Sequence, residues 1–362
     1  MNINVKKKER RLKIGILGCG TICQAAHFIS ATKANNVELI AICDVAEDLL
    51  YKMAAIYEPK RTYTQYEDML ADPDIEAVVI GIGDQFHIDC TKLALQAGKH
   101  VLVEKPLGVN IEECEEAGRL AAEKKLVLQV GNMKRFDGGL QFARDFVKNE
   151  IGEVTTYKGW YCDSTGRYTL CDNVMPPLYS STAMKKPAGN PKSVLDRYYL
   201  LAHASHLFDT ARFMLGEIES LQARLAVKGN LYSWLISCDF ASGAIGCLDL
   251  TIAVRADWHE GLEIYGTNGT VYAKTYNPWV LLSSEVECWK ESTRVVSKPY
   301  AADGHSYRRQ MEAFADVILH GAQQTGAGAE DGIAALRAII ATYESVHQNG
   351  RRIHLKDVKG GI

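Results

Sequence analysis

The sequence predicts an α/β domain with a parallel, doubly wound sheet, followed by an α+β domain. Three observations carry this prediction. Apolar strands alternate with helical patterns up to about residue 132, a glycine-rich turn follows the first strand, and beyond residue 132 strands follow one another with period-two alternation. The chain therefore divides into 1–132 and 133–362.

Leu12 to Leu17 reads as a buried strand, and Gly18-Cys19-Gly20-Thr21-Ile22-Cys23 opens a helix that runs to about Lys33. Val37 to Cys43 is the next strand. It stops at Asp44, about two dozen residues beyond the glycines, which is the spacing of a dinucleotide-binding unit. Gly18 and Gly20 let the backbone turn tightly and approach a pyrophosphate at the helix start, with Thr21 and Ile22 beside it. Cys23 stands where a third glycine is usual, so helix and strand are expected to pack slightly further apart there. Asp44 suits the adenosine ribose hydroxyls and repels a 2′-phosphate, which favours NAD over NADP; its other use is to cap the following helix.

Further strands are expected at 77–82, 100–103 and 126–130, with a helix capped by Asn110 and carrying Glu113 three residues on. The strand at 100–103 ends in Glu104-Lys105-Pro106. Ligands of open parallel sheets lie outside the carboxyl ends of the strands, so Lys105 is placed to meet a reacting oxygen, the alternative being an ordinary surface lysine.

In the second domain a helix is expected at about 138–149. Trp234, Ile236, Cys238 and Phe240 share one strand face, and Leu248, Leu250, Ile252 and Val254 another. Gly266-Thr267-Asn268-Gly269-Thr270 marks a hairpin between strands at 260–266 and 270–276. The stretch from Cys162 to Tyr198 holds four prolines and no clear period, which reads as a binding loop or lid, or as an insertion or subunit contact.

With 362 residues, 47% hydrophobic and 23% charged, and a formal net charge of -3, the chain has the make-up of a soluble globular protein. It lacks the basic footprint of a nucleic-acid or membrane-surface binder. No apolar run approaches membrane-spanning length, and the ten cysteines form no CxxC pair, which fits reduced thiols in cytoplasm. There is no HExxH or grouped carboxylate pattern, so no metal is expected. A small molecule is the expected partner.

Gly18-Cys19-Gly20-Thr21-Ile22, Glu104-Lys105-Pro106, Gly131-Asn132-Met133-Lys134-Arg135-Phe136 and His206-Leu207-Phe208-Asp209 occur in the order found in one family. The chain resembles the glucose–fructose oxidoreductase and inositol dehydrogenase (Gfo/Idh/MocA) family over nearly its whole length. The resemblance implies a Rossmann domain, a second domain on a large, open, mainly antiparallel sheet, and a homo-oligomer (dimer, tetramer or hexamer). It also implies oxidation of sugar or polyol hydroxyls with NAD(P). By the same resemblance Lys105 is the catalytic lysine and His206 the acid/base histidine. Glu104 and His87, in Gly83-Asp84-Gln85-Phe86-His87, then lie at the cofactor, and Arg135, Tyr161 and His203 at the substrate.

One departure matters. Many relatives carry an aspartate four residues before the histidine, where this chain has Ala202. His203 and Asp209 lie three residues either side of His206 on one helical face, so either is a candidate to orient it. The alternatives are a packed core histidine and an ion pair from Asp209 to Arg212 or Arg135.

His203-Ala204-Ser205-His206 and the tyrosine-rich stretch before it are similar to bacterial enzymes that oxidise the C3 hydroxyl of glucosides, with Trp160, Tyr161, Tyr168 and Tyr179 offered for stacking on a ring. Two rivals share the cofactor site: an NAD-dependent glycosidase acting by transient C3 oxidation and elimination, and a non-catalytic NAD(H)-binding sensor.

Overall fold

The computed structural model describes residues 10–166, 171–184, 193–300 and 302–362. The first sheet has six parallel strands, β1 (Leu12–Leu17), β2 (Val37–Cys43), β3 (Arg61–Tyr63), β4 (Ala77–Ile80), β5 (His100–Val103) and β6 (Leu128–Val130), in the order β3-β2-β1-β4-β5-β6. Its connections carry α1 (Phe28–Lys33, preceded by a π-helical turn at Cys23–His27), α2 (Glu47–Tyr57), α3 (Tyr66–Ala71), α4 (His87–Gln96) and α5 (Ile111–Lys124). The order reverses between β1 and β4, which opens a crevice at their carboxyl ends.

β4 is buried along its whole length and β1 nearly so, because helices cover both faces of the sheet; this is why β4 reads as an unbroken apolar run and β1 as one broken only by Lys13. Asn110 caps α5 by accepting from the Glu113 amide at 3.1 Å. Two expected strands are shorter than their apolar runs, β4 ending at Ile80 and β6 beginning at Leu128. The edge strand β3 escaped the sequence reading, since its three residues are largely exposed and carry no apolar signal.

The chain continues through α6 (Gly138–Asn149), β7 (Val154–Ser164), α7 (Leu195–Tyr199), a π-helical turn at Leu200–Ala204 and α8 (Ser205–Leu215). The remaining strands are β8 (Ile218–Lys228), β9 (Leu231–Phe240), β10 (Ile245–Val254), β11 (His259–Gly266), β12 (Gly269–Thr275), β13 (Glu285–Lys290), β14 (Val295–Ser297) and β15 (Ile353–His354). With β7 they form a second sheet ordered β14-β13-β12-β11-β7-β10-β9-β8-β15. Among the described residues its pairings are antiparallel except that of β7 with β10.

Trp234, Ile236, Cys238 and Phe240 are buried on one face as their alternation required, and the Asn268-Gly269 turn joins β11 to β12. Two late helices, α9 (Ser306–His320) and α10 (Ala329–His347), return to the first domain. Met311, Phe314 and Ala315 of α9 join the core formed by Leu12, Ile14 and Phe28, and α10 packs on α5. These helices fix where the second sheet lies relative to the carboxyl end of β5. No helix is long and apolar enough to cross a membrane among the described residues.

Candidate active site

The glycine loop is built for close approach. Gly18 has φ +106°, and a Cβ there would lie 2.4 Å from the Gly81 carbonyl oxygen, so only glycine fits. A Cβ at Gly20 would meet nothing within 4 Å; this is the room a pyrophosphate needs in front of a helix start. Thr21 at the mouth is exposed, and Ile22 packs towards Met133 and Tyr307.

Cys23 is fully buried, and its Sγ lies 3.4 Å from the Gly81 oxygen. A Cβ on Gly81 would come within 2.4 Å of that sulfur. The bulk expected to push helix from strand is instead absorbed by the glycine opposite. Asp44 Oδ2 accepts from the Cys19 amide at 2.6 Å and Oδ1 from the Ala46 amide at 2.8 Å. Both expected uses coexist: the carboxylate lies at the glycine loop and also holds the turn into α2.

At the end of β5, Glu104 is buried and its carboxylate is shared between His27 Nε2 (3.0 Å) and the Lys105 amide (3.1 Å). Burial raises its pKa, but the His27 contact and the charge of Lys105 outweigh this and hold it below the usual carboxylate range. Lys105 Nζ crosses to the second domain and donates to the Ala202 carbonyl at 2.9 Å. Ala202 is one helical turn before His206. Where relatives are expected to carry an aspartate side chain, the main chain here anchors the lysine.

His206 is buried at the start of α8, its ring parallel to that of Tyr161 (centroids 5.8 Å apart, interplanar angle 7°). Tyr161 Oη is 3.5 Å from His203 Nδ1, and His203 Nε2 is 3.7 Å from Asp163 Oδ2. A carboxylate therefore reaches this cluster from β7, two residues beyond Tyr161. Lys134 and Glu260 form a buried ion pair whose ammonium lies 4.5 Å from the Tyr161 ring centre, and Trp258 Nε1 donates to Glu260 at 3.1 Å. Burial pulls the Lys134 ammonium below its ordinary range against the pull of Glu260. Asp163 and Glu260 were not singled out from sequence, because their approach depends on β7 pairing with β11, with Tyr161 opposite Glu260, and Lys134 was noted only as part of its motif.

Several expected site residues are engaged by buried protein partners. Arg135 gives its guanidinium to Asp209 (2.7 and 2.9 Å) and to Asp331 (3.0 Å), and Arg212 also donates to Asp331 (3.0 Å). This buried chain of charges engages Arg135, which was expected at the substrate, and Asp209, which with His203 was a candidate to orient His206. Of the alternatives weighed for Asp209, the ion pair to Arg135 is the one formed.

His87 is fully buried with Nδ1 2.7 Å from the Pro106 oxygen and Nε2 3.2 Å from the Ile82 oxygen. It ties together two strand-end loops. Trp160 alternates with Tyr161 along β7 and stacks on His259 on the opposite sheet face, while Tyr179 lies over Lys52 of the first domain. Tyr168 is outside the described residues.

Residues 12–132 match the model of an oxidoreductase family with an NAD-binding Rossmann fold, and residues 141–272 match the GFO/IDH/MocA C-terminal domain. The chain is 24% identical over 359 residues to myo-inositol 2-dehydrogenase of Thermotoga maritima, covering 96% of this chain and 100% of that one. Among solved structures it resembles levoglucosan dehydrogenase in complex with NADH (TM-score 0.79, 19% identity, covering 96% of this chain and 100% of the other). It also resembles scyllo-inositol dehydrogenase of Lactobacillus casei with NAD(H) and scyllo-inositol (TM-score 0.74, 23% identity, 96% and 100% covered).

Gly81→Ala is expected to lower the unfolding midpoint, at a cost of about 1–3 kcal/mol for overpacking, and Cys23→Ala in the same chain should restore most of it. Additive losses in a double-mutant cycle would contradict the accommodation of Cys23 by Gly81. Asp209→Ala leaves the Arg135 guanidinium buried without its bidentate partner, so a loss of about 3–5 kcal/mol in denaturant unfolding is expected. A loss under about 1 kcal/mol would place that ion pair outside the structural frame.

Proposed function

The chain belongs to the Gfo/Idh/MocA family of NAD-dependent oxidoreductases, and from that premise we propose that it oxidises a secondary hydroxyl of a sugar, glycoside or polyol to a ketone, with C3 of a glucoside as the preferred position. The observation that carries this reading is the reach of Lys105 from the cofactor domain to Ala202, one turn before His206. It brings an ammonium and an imidazole to the same stretch of helix. The glycine loop and Asp44 fit NAD, and NADP less well. The cofactor held by the glycine loop and Asp44 would supply the hydride acceptor for the oxidation.

The chain's own residues do the rest. Lys105 Nζ donates to the hydroxyl oxygen and stabilises the negative charge that develops on it, where a preorganised cation contributes most. His206 takes the hydroxyl proton in its neutral form. The parallel Tyr161 ring steadies the imidazole plane, and His203, with Asp163 beside it, supplies the polar support that Ala202 cannot. Tyr161 and Trp258, packed edge to face at 5.2 Å and both buried, form the wall behind the imidazole. The substrates in the names of the similar inositol and levoglucosan dehydrogenases are rings bearing several secondary hydroxyls, which supports the same class here.

We also place the protein in the cytoplasm, in keeping with ten free cysteines. As a homo-oligomer it would associate through the outer face of the second sheet, where Leu235, Ile245 and Tyr272 are exposed.

Purified protein incubated with NAD and a panel of sugars, inositols and glucosides should yield a product lighter by two hydrogens in the mass spectrum, together with NADH. Separation of sugar from aglycone without net NADH would favour the eliminating glycosidase instead, and no turnover of any ring would leave an NAD(H)-binding sensor. Lys105→Ala should reduce kcat by about 10²-fold or more while NAD still binds. In the wild type the rate should fall as pH drops through the titration of His206, because the protonated ring cannot accept a proton. His206→Asn should lose that limb, and a retained limb would mean that another group is the base.

A further inference from the structure

Residues between Cys171 and Met184 leave the second domain and cross to the first. Asn277 Nδ2 of the second domain lies 3.6 Å from Cys171 Sγ, and the chain then passes the stiff pair Pro176-Pro177. It next meets two helix starts of the cofactor domain. The Gln24 amide accepts from the Tyr179 amide at 2.8 Å and donates to the Tyr179 carbonyl at 2.9 Å, while the same Nε2 donates to the Cys19 carbonyl in the glycine loop at 2.7 Å. The segment is thus one side chain away from the pyrophosphate loop.

Four residues beyond Asp44, the Asp48 carboxylate in the first turn of α2 accepts from Ser181 Oγ at 2.7 Å and from the amides of Thr182 (2.8 Å) and Ala183 (3.3 Å). One turn on, the Lys52 ammonium lies 3.7 Å from the centre of the Tyr179 ring. These anchors sit on the helices that follow Gly20 and Asp44, the two walls against which a pyrophosphate and an adenosine ribose would rest.

We propose that residues 178–184 form a latch along the adenosine side of the cofactor site, fastened at Gln24 and Asp48, which retards exchange of NAD and NADH. The inference rests on the dinucleotide reading of the glycine loop. Its anchors belong to the first domain, whereas Cys171, just before it, contacts Asn277 of the second. Asp48 is the better anchor to probe, since its hydrogen bonds across the gap go to Ser181, Thr182 and Ala183 of the latch, whereas Gln24 also holds the loop.

The test is stopped-flow release of NADH from the full-length protein, followed by nicotinamide fluorescence after mixing with excess NAD. Asp48→Ala should release NADH about five- to tenfold faster than wild type, as expected for loss of several hydrogen bonds to one carboxylate. A disulfide formed between Asp48→Cys and Ser181→Cys should slow release below the wild-type rate, with reduction restoring it. Wild-type release from Asp48→Ala, or equal rates from the oxidised and reduced pair, would overturn the latch while leaving the cofactor assignment intact. A wild-type protein that binds no NADH would overturn both.

Discussion

Everything at the candidate site depends on one contact between domains, the Lys105 ammonium on the Ala202 carbonyl. The lysine is delivered by a strand end in the parallel sheet and the histidine by a helix that precedes the large sheet. Neither domain alone places them together. What holds the two frames in register is the return of α9 and α10 to the first domain, together with the buried charges Arg135, Asp209, Asp331 and Arg212, which connect the turn after β6 to α8 and α10. Buried ion pairs of this kind contribute little net stability over an apolar replacement, but breaking one leaves an uncompensated charge, so they permit few alternative arrangements.

Tyr161 is the second constraint. Its ring is parallel to His206, edge-on to Trp258, tilted against His203 and close to the Lys134 ammonium. A side chain so confined has few rotamers left, and the imidazole beside it inherits that restriction. The Lys134–Glu260 pair extends the same wall into the core, where burial presses on both charged forms. Carboxylates thus reach this wall from β7 at Asp163 and from β11 at Glu260.

The parts of this arrangement that were legible in the sequence are those written in local pattern. The strands of the first sheet, the glycine turn, the cap at Asn110 and the lysine at the end of β5 follow from runs of adjacent residues. The ordered motifs also brought Lys105 and His206 forward as a pair. What stayed hidden needs strand register or domain packing: Asp163 beside His203, Glu260 opposite Tyr161, and the Gln24 bridge to Tyr179. Arg135 and His87 were placed at the ligands because their motifs are at the site, yet both turn inward, one to carboxylates and the other to carbonyl oxygens. Motif position identifies a neighbourhood, whereas the direction of a side chain is decided by which buried partner lacks a hydrogen bond.

The central claim is that Lys105 and His206 act on one oxygen. A crystal structure of the protein with NADH and a bound polyol or glucoside tests it most directly. The account predicts one substrate oxygen within about 2.6–3.2 Å of both Lys105 Nζ and a ring nitrogen of His206, with its carbon facing the nicotinamide. A substrate oxygen held by Lys105 while His206 remains out of reach, or a ring bound away from both, would contradict it.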